Sequence, residues 1–200
     1  WGSAVAAQAA PRHDVLLWAR DGAQAAAITA SRRNERYLPG IELPPQLRCS
    51  ADFEACIAHC LDGIASSDGA LAVVATPMSA LRGMLQALPA TLPVLWLCKG
   101  FEAGSGLLGH EVAREVRGAT IDAAPSGVLS GPSFAAEVAR GQPTAIVAAS
   151  RSAAPGEAAQ AAFHTEVLRV YTSDDPVGAE IGGAVKNVMA IATGLCDGLA

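Results

Sequence analysis

Short runs rich in valine, leucine and isoleucine recur along this chain, each leading into a stretch that reads as helix. They are "DVLLWAR" (14–20), "ALAVVATP" (70–77), "VLWLCKG" (94–100), "GVLSGP" (127–132), "TAIVAAS" (144–150) and "LRVYTS" (168–173). A strand that is apolar on both faces has to be covered on both faces, and the helices between such strands provide the cover. The pattern predicts an α/β protein, a doubly wound and mostly parallel sheet. The run that ends at Lys99 reads as a central strand. In sheets of this kind ligands bind in the crevice at the carboxyl ends of the strands, so the strand ends are where chemistry is sought.

Bulk properties narrow the classes. With 51% hydrophobic and 16% charged residues the chain is globular rather than disordered. A net charge of −5 without a basic tract argues against a nucleic-acid partner, while leaving room for a local basic pocket that takes a phosphorylated ligand. The five cysteines form no CxxC pair, which predicts reduced, buried thiols in a cytoplasmic protein and no metal site. The longest apolar stretch, around Lys186, is interrupted by Asn187, Thr193 and several glycines, so membrane insertion is not expected. No basic-then-apolar leader opens the chain, and export is not expected either.

Four places stand out. "WGSAVA" (1–6) has the form of a Gly-rich turn running into a helix, with its strand and leading glycines before residue 1. Gly2 would be the last glycine, and the helix N-terminus would face a pyrophosphate. "WG" alone is worthless as a motif; its support is the distance to Arg20, which ends "DVLLWAR" where a dinucleotide site reads the adenosine ribose. A guanidinium in place of the usual carboxylate can pair with a 2′-phosphate. Arg20 can equally be a solvated surface residue, and Asp21 a helix cap.

At the end of "LWLCKG", Lys99 follows an apolar strand and precedes Gly100, which frees the backbone to turn. There it either points its charge into the ligand crevice or sits harmlessly at the strand end. In "LSGPSFAAEV", Gly131 breaks the strand and Ser133 stands where a helix N-cap belongs. A cap explains Ser133 fully, and a gathering of donors for an oxygen-rich ligand is the functional alternative. A hydrolase elbow is disfavoured because Ala135 replaces its last glycine and no histidine follows at an obvious strand end, His164 being the nearest candidate. Finally, "EIGGAVKNVMAIATGLCDG" (180–198) carries one charge between Glu180 and Asp197, that of Lys186. A buried helix does not keep an unpaired ammonium and an exposed one is not so apolar, so this helix is expected to line a polar cleft.

Together "LWLCKGFE", "VLSGPSFAAEVARGQPTA" and "IGGAVKNVMAIATGLCDGL", with "RNERYLPGIELP" ahead of them, are similar in order and spacing to the bacterial-type NAD(P)-dependent glycerol-3-phosphate dehydrogenases. The resemblance runs along essentially the whole chain. It implies a Rossmann-like domain over residues 1–175, lacking its first strand, and over 176–200 the start of the long helix of an all-helical substrate domain, truncated here. It implies reversible reduction of dihydroxyacetone phosphate to sn-glycerol 3-phosphate for glycerophospholipid synthesis. NAD(P)H is the implied cofactor, with NADPH favoured by Arg20, and a homodimer is compatible with it. By the same resemblance Trp1, Arg20, Lys99 and Ala135 contact the cofactor. Lys99, Gly131, Ser133 and Lys186 contact the substrate, and Lys186 is the catalytic proton acceptor. The 200 residues alone are expected to be inactive.

Overall fold

Seven strands, three to six residues long, organise the chain into two sheets in a computed structural model that describes residues 1–66, 69–118 and 125–199. Helix α1 (Gly2–Ala9) comes first, followed by β1 (Leu16–Trp18), α2 (Gly22–Ser31), β2 (Arg48–Ser50), α3 (Phe53–Ala65) and β3 (Ala72–Val74). Next are α4 (Met78–Ala87), β4 (Val94–Trp96), α5 (Gly109–Arg117), β5 (Ser126–Ser130) and α6 (Ala135–Ala139). The chain continues through β6 (Thr144–Ala149), α7 (Ala153–Phe163), β7 (Leu168–Ser173) and α8 (Pro176–Leu199). The larger sheet has the order β3-β4-β5-β6-β7, and β1 pairs in parallel with β2 in the smaller one.

The alternation read from the sequence is the alternation found, and β4 shows why. Val94, Trp96 and Cys98 pack on one face with Ile57, Leu81, Leu85 and Val112, from α3, α4 and α5. Leu95 and Leu97 pack on the other with Ala4, Val5, Val138 and Phe163, from α1, α6 and α7. Period-two side chains, all buried, make β4 a strand covered from both sides.

One pairing departs from the parallel pattern. β5 and β6 run antiparallel, Val128 opposite Ala149 and Ser130 opposite Val147. The connecting helix α6 has five residues and spans roughly 7.5 Å, too short to carry the chain back along a strand of roughly 16 Å. The two strands meet unusually closely. A Cβ at Gly131 would lie 2.8 Å from the Ala145 carbonyl oxygen, and one at Gly127 would overlap that of Ala149. Both glycines are required by packing before any role in a site is considered.

Other differences are local. Strand β2, between the proline-containing loop and α3, has no apolar run to announce it. Helix α7 starts at Ala153 rather than near Glu157, because Pro155 sits in its first turn, where a missing N–H costs nothing. Of the cysteines, Cys98 is buried, Cys49, Cys56 and Cys60 are half-buried, and Cys196 is exposed. Burial pushes the Cys56 thiol up to about 11, which keeps it protonated and unreactive. Among the described residues no helix is long and apolar enough to cross a membrane.

Candidate active site

Three residues beyond β4, Lys99 leaves the sheet between β3 and β5. Gly100 adopts φ +93°, which turns the chain sharply after the lysine. The following loop is fastened by Glu102, which accepts two hydrogen bonds of 2.8 Å from Arg82 of α4 and one of 2.6 Å from Ser105. Arg82 also pairs with Glu115 of α5 at 2.8 Å. The Arg82 guanidinium, with the Ser105 hydroxyl, holds the Glu102 carboxyl down to about 2. A depressed carboxyl contributes stability above its ordinary pKa of about 4.3 and loses it as pH falls through its folded value. Glu102→Gln should therefore lack the part of the acid destabilisation that falls between about pH 4.3 and 2, as read by melting temperature against pH. Parallel melting curves for both proteins across that window would refute this account of the loop.

Lys99 Nζ donates to the Gly131 carbonyl oxygen at 3.2 Å, so the ends of β4 and β5 meet through this side chain. Burial, and then the neighbouring ammonium of Lys186, push Lys99 below the ordinary lysine range. Helix α8 brings Lys186 there. A Cβ at Gly183 would stand 3.0 Å from Ser130 Oγ and 3.8 Å from the Lys99 stem, so glycine lets the helix settle onto the strand end. One turn on, the Lys186 ammonium lies 4.8 Å from the centre of the Phe134 ring, which is itself 63% exposed. Between α8 and the sheet an open cleft of about 350 Å³ is lined by Ser130, Gly131, Pro132, Asp175, Gly182 and Lys186, among others.

Ser133 is not a helix cap. The cap of α6 is Phe134, whose backbone N–H donates to Glu137 at 3.1 Å. Ser133 is only 5% exposed, and its hydroxyl has no hydrogen-bond partner among the described residues. Ser133 follows directly on Gly131 and Pro132, which line the cleft.

Trp1 and Ala135 both pack against the core that α1 and α6 share. Gln8 of α1 donates to the Val138 carbonyl of α6 at 2.7 Å, tying the two helices together. At Gly2 a Cβ would be 3.2 Å from Ala75 Cβ and 3.9 Å from Leu17 Cδ1, so α1 begins close to the ends of both β1 and β3. Arg20 follows β1, exposed and without a hydrogen bond or ion pair among the described residues. Asp21 does not hold it: its carboxylate caps α2 through Ala23 N at 2.9 Å and Gln24 N at 3.4 Å.

Profiles of known families give this arrangement its context. The one described as NAD-dependent glycerol-3-phosphate dehydrogenase N-terminus matches residues 1–155, and its C-terminal counterpart matches residues 175–200. The chain belongs to the NAD-dependent glycerol-3-phosphate dehydrogenase family. Among curated relatives, the glycerol-3-phosphate dehydrogenase (NAD(P)+) of Methylibium petroleiphilum is 64% identical over 200 residues, covering all of this chain and 57% of the relative. That of Leptothrix cholodnii is 61% identical over 207 residues, covering all of this chain and 59% of the relative. The crystal structure of glycerol-3-phosphate dehydrogenase from Coxiella burnetii matches with a TM-score of 0.82 at 32% identity, covering all of this chain and 58% of that one. The chain thus spans less than two thirds of the length of these glycerol-3-phosphate dehydrogenases.

A buried cluster next to the lysines was not singled out from the sequence of this family member. Glu180, in the first turns of α8, accepts from Trp96 Nε1 at 2.8 Å and from the His110 backbone N–H at 3.0 Å, both at Oε1. Its Oε2 accepts from His110 Nδ1 at 2.6 Å. The available signal was Glu180 itself, a carboxylate at the head of an apolar helix and therefore as costly to bury as Lys186. The side chain of Asn187 lies outside the described residues.

Proposed function

We propose that these residues form the cofactor-binding part, 1–175, and the first helix of the substrate part, 176–200, of an NAD(P)-dependent glycerol-3-phosphate dehydrogenase. The enzyme interconverts dihydroxyacetone phosphate and sn-glycerol 3-phosphate. The observation that carries this reading is the meeting of two lysines at one cleft: Lys186 of α8 lines it together with Gly131, and Lys99 feels the Lys186 charge and bonds to the Gly131 carbonyl. The Lys99 ammonium, raised in energy by burial and by the Lys186 charge, is poised for an anion, since a phosphorylated substrate beside it relieves the repulsion.

The residues fit a nicotinamide dinucleotide. The start of α1 offers its N-terminal amides and positive dipole end, Trp1 and Ala135 pack on a common core, and Arg20, past the end of β1, has no partner among the described residues. When bound, the reduced cofactor supplies the two electrons of the reaction to C2 of the substrate. The chain supplies the rest. Lys186 stabilises the negative charge that grows on the carbonyl oxygen and then donates a proton to it; in the reverse direction it accepts that proton. Lys99 holds its anionic partners at the strand end, and Ser133 donates to a ligand oxygen. The reading extends to a cytoplasmic enzyme, compatible with a homodimer, that serves glycerophospholipid synthesis.

The direct test is oxidation of NADPH or NADH by the full-length enzyme on addition of dihydroxyacetone phosphate. Turnover with a 2-keto acid but not with the triose phosphate would assign it to another dehydrogenase class, and no turnover with either would leave a cofactor-binding domain. Because Asp21 is committed to capping α2, Arg20 is free for a 2′-phosphate. Arg20→Ala should raise the Michaelis constant for NADPH about 10-fold, as expected for one charge-assisted bond, and leave that for NADH nearly unchanged. Equal changes for both cofactors would remove Arg20 from phosphate recognition.

A further inference from the structure

We propose that Glu180 is a positioning residue: its carboxylate, held by Trp96 and His110, sets the angle at which α8 presents Lys186 to the cleft. The inference rests on reading Lys186 as the proton donor. Glu180 is 6% exposed, and both its oxygens are engaged by N–H donors from two different elements, β4 and α5. The backbone donor belongs to the first turn of α5, whose positive dipole end favours a carboxylate there. The His110 Nδ1–Oε2 separation of 2.6 Å makes this the shortest of the three contacts to the carboxylate. The fit extends to Gly109, where a Cβ would lie 2.5 Å from Trp96 Nε1 and 2.7 Å from Glu180 Oε1.

Position along the elements gives the cluster its meaning. Trp96 stands three residues before Lys99, and Glu180 stands three before Gly183 and six before Lys186. On a helix, residues 180, 183 and 186 step round by about 60° each and cover about 9 Å of the axis, forming one winding stripe. Glu180 is tied to the strand that carries Lys99, Gly183 rests against Ser130 and Lys99, and Lys186 reaches the cleft. The Trp96–Glu180 bond therefore sets the register of one lysine against the other. Among the described residues, the contacts that fix α8 against the sheet lie at this end, at Glu180 and Gly183. An apolar side chain could hold two elements together as well as a buried carboxylate does. It could not fix the rotation of the helix through directional bonds at both oxygens.

The experiment compares Glu180→Gln, His110→Phe, the double variant and Lys186→Met in the full-length enzyme. Turnover number, Michaelis constants, melting temperature and the indole N–H resonance of Trp96 are measured for each. Glu180→Gln keeps shape but weakens the bonds: turnover should fall about 10-fold, in line with the cost of a small misplacement of a catalytic group. The Michaelis constant for the cofactor should stay within about 2-fold and the Trp96 resonance should shift. His110→Phe should lower turnover less, and the double variant should be no worse than Glu180→Gln, because both changes act on one network. If Glu180→Gln lowers the melting temperature while turnover stays within about 2-fold, the cluster is a structural tie and the proposal is wrong. Should Glu180→Gln fail to fold, His110→Phe, which leaves the carboxylate and its other two bonds, decides: unchanged turnover overturns the proposal. Full turnover in Lys186→Met would instead sink the proton-donor reading on which the proposal stands.

Discussion

Replacing Lys186 with methionine should lower the turnover number of the full-length enzyme at least about 100-fold, the lower range of what general acid–base catalysis contributes. Folding should survive. The lysine stem lies along the cleft wall with its ammonium 4.8 Å from the Phe134 ring centre, an exposed cation–π contact worth about 0.5–1 kcal/mol. A methionine sulfur against the same ring recovers a comparable amount, roughly 0.3–1.5 kcal/mol, and the chain length is conserved. Cofactor affinity should also hold, because the groups read as meeting the dinucleotide belong to α1, α6 and the ends of β1 and β4 rather than to α8. The loss should therefore appear in turnover and not in the Michaelis constant for NADPH. Were turnover nearly intact and substrate affinity reduced, Lys186 would be an anchor for the phosphate or a hydroxyl. The proton would then come from another group.

Much of this site was legible in the sequence because the fold rule is strong. Apolar runs such as "VLWLCKG" mark strands covered on both faces, and whatever charge follows them stands at a crevice; Lys99 and Gly131 were found that way. Gly131 was read as a strand breaker, and its closer reason, the approach of the β6 backbone, depends on an antiparallel partner that periodicity does not reveal. Ser133 shows a local rule overruled by its neighbour. Both Ser133 and Phe134 precede the helix, but Glu137 reaches the Phe134 amide, so the cap moves one residue and the serine is left buried and unpaired. The segment "EIGGAVKNVMAIATGLCDG" reads as a helix that lines a polar cleft, and Gly182, Gly183 and Lys186 do line the cleft. Glu180 escaped for a different reason. Its partners lie 84 and 70 residues away, and no spacing rule connects Trp96, His110 and a helix that comes so much later in the chain.

Lys99→Met should reduce kcat/KM for dihydroxyacetone phosphate about 10- to 100-fold, since a charge-assisted contact is worth about 1.5–3 kcal/mol and each 1.4 kcal/mol is a factor of ten. Unlike Lys186→Met, this change should also raise the Michaelis constant for the cofactor, because Lys99 is read as touching both. The pH dependence separates the two lysines further. Burial and the Lys186 charge make the Lys99 ammonium easier to deprotonate than an ordinary lysine, so binding should weaken on the alkaline side before pH reaches about 10.4. Lys186→Met removes the repelling neighbour and should move that alkaline limb upward; Lys99→Met should abolish it. Stability should change in the opposite sense to activity. A lysine whose folded pKa lies below its unfolded value binds fewer protons folded than unfolded between those two values, so stability rises with pH across that window. Below it the charge costs stability in full, and Lys99→Met removes the cost. The variant should melt at the same temperature as the parent or higher at neutral pH, while catalysing far less. A lower melting temperature with kcat/KM within about 3-fold of the parent would make Lys99 a structural strut whose bond to the Gly131 carbonyl is its whole purpose.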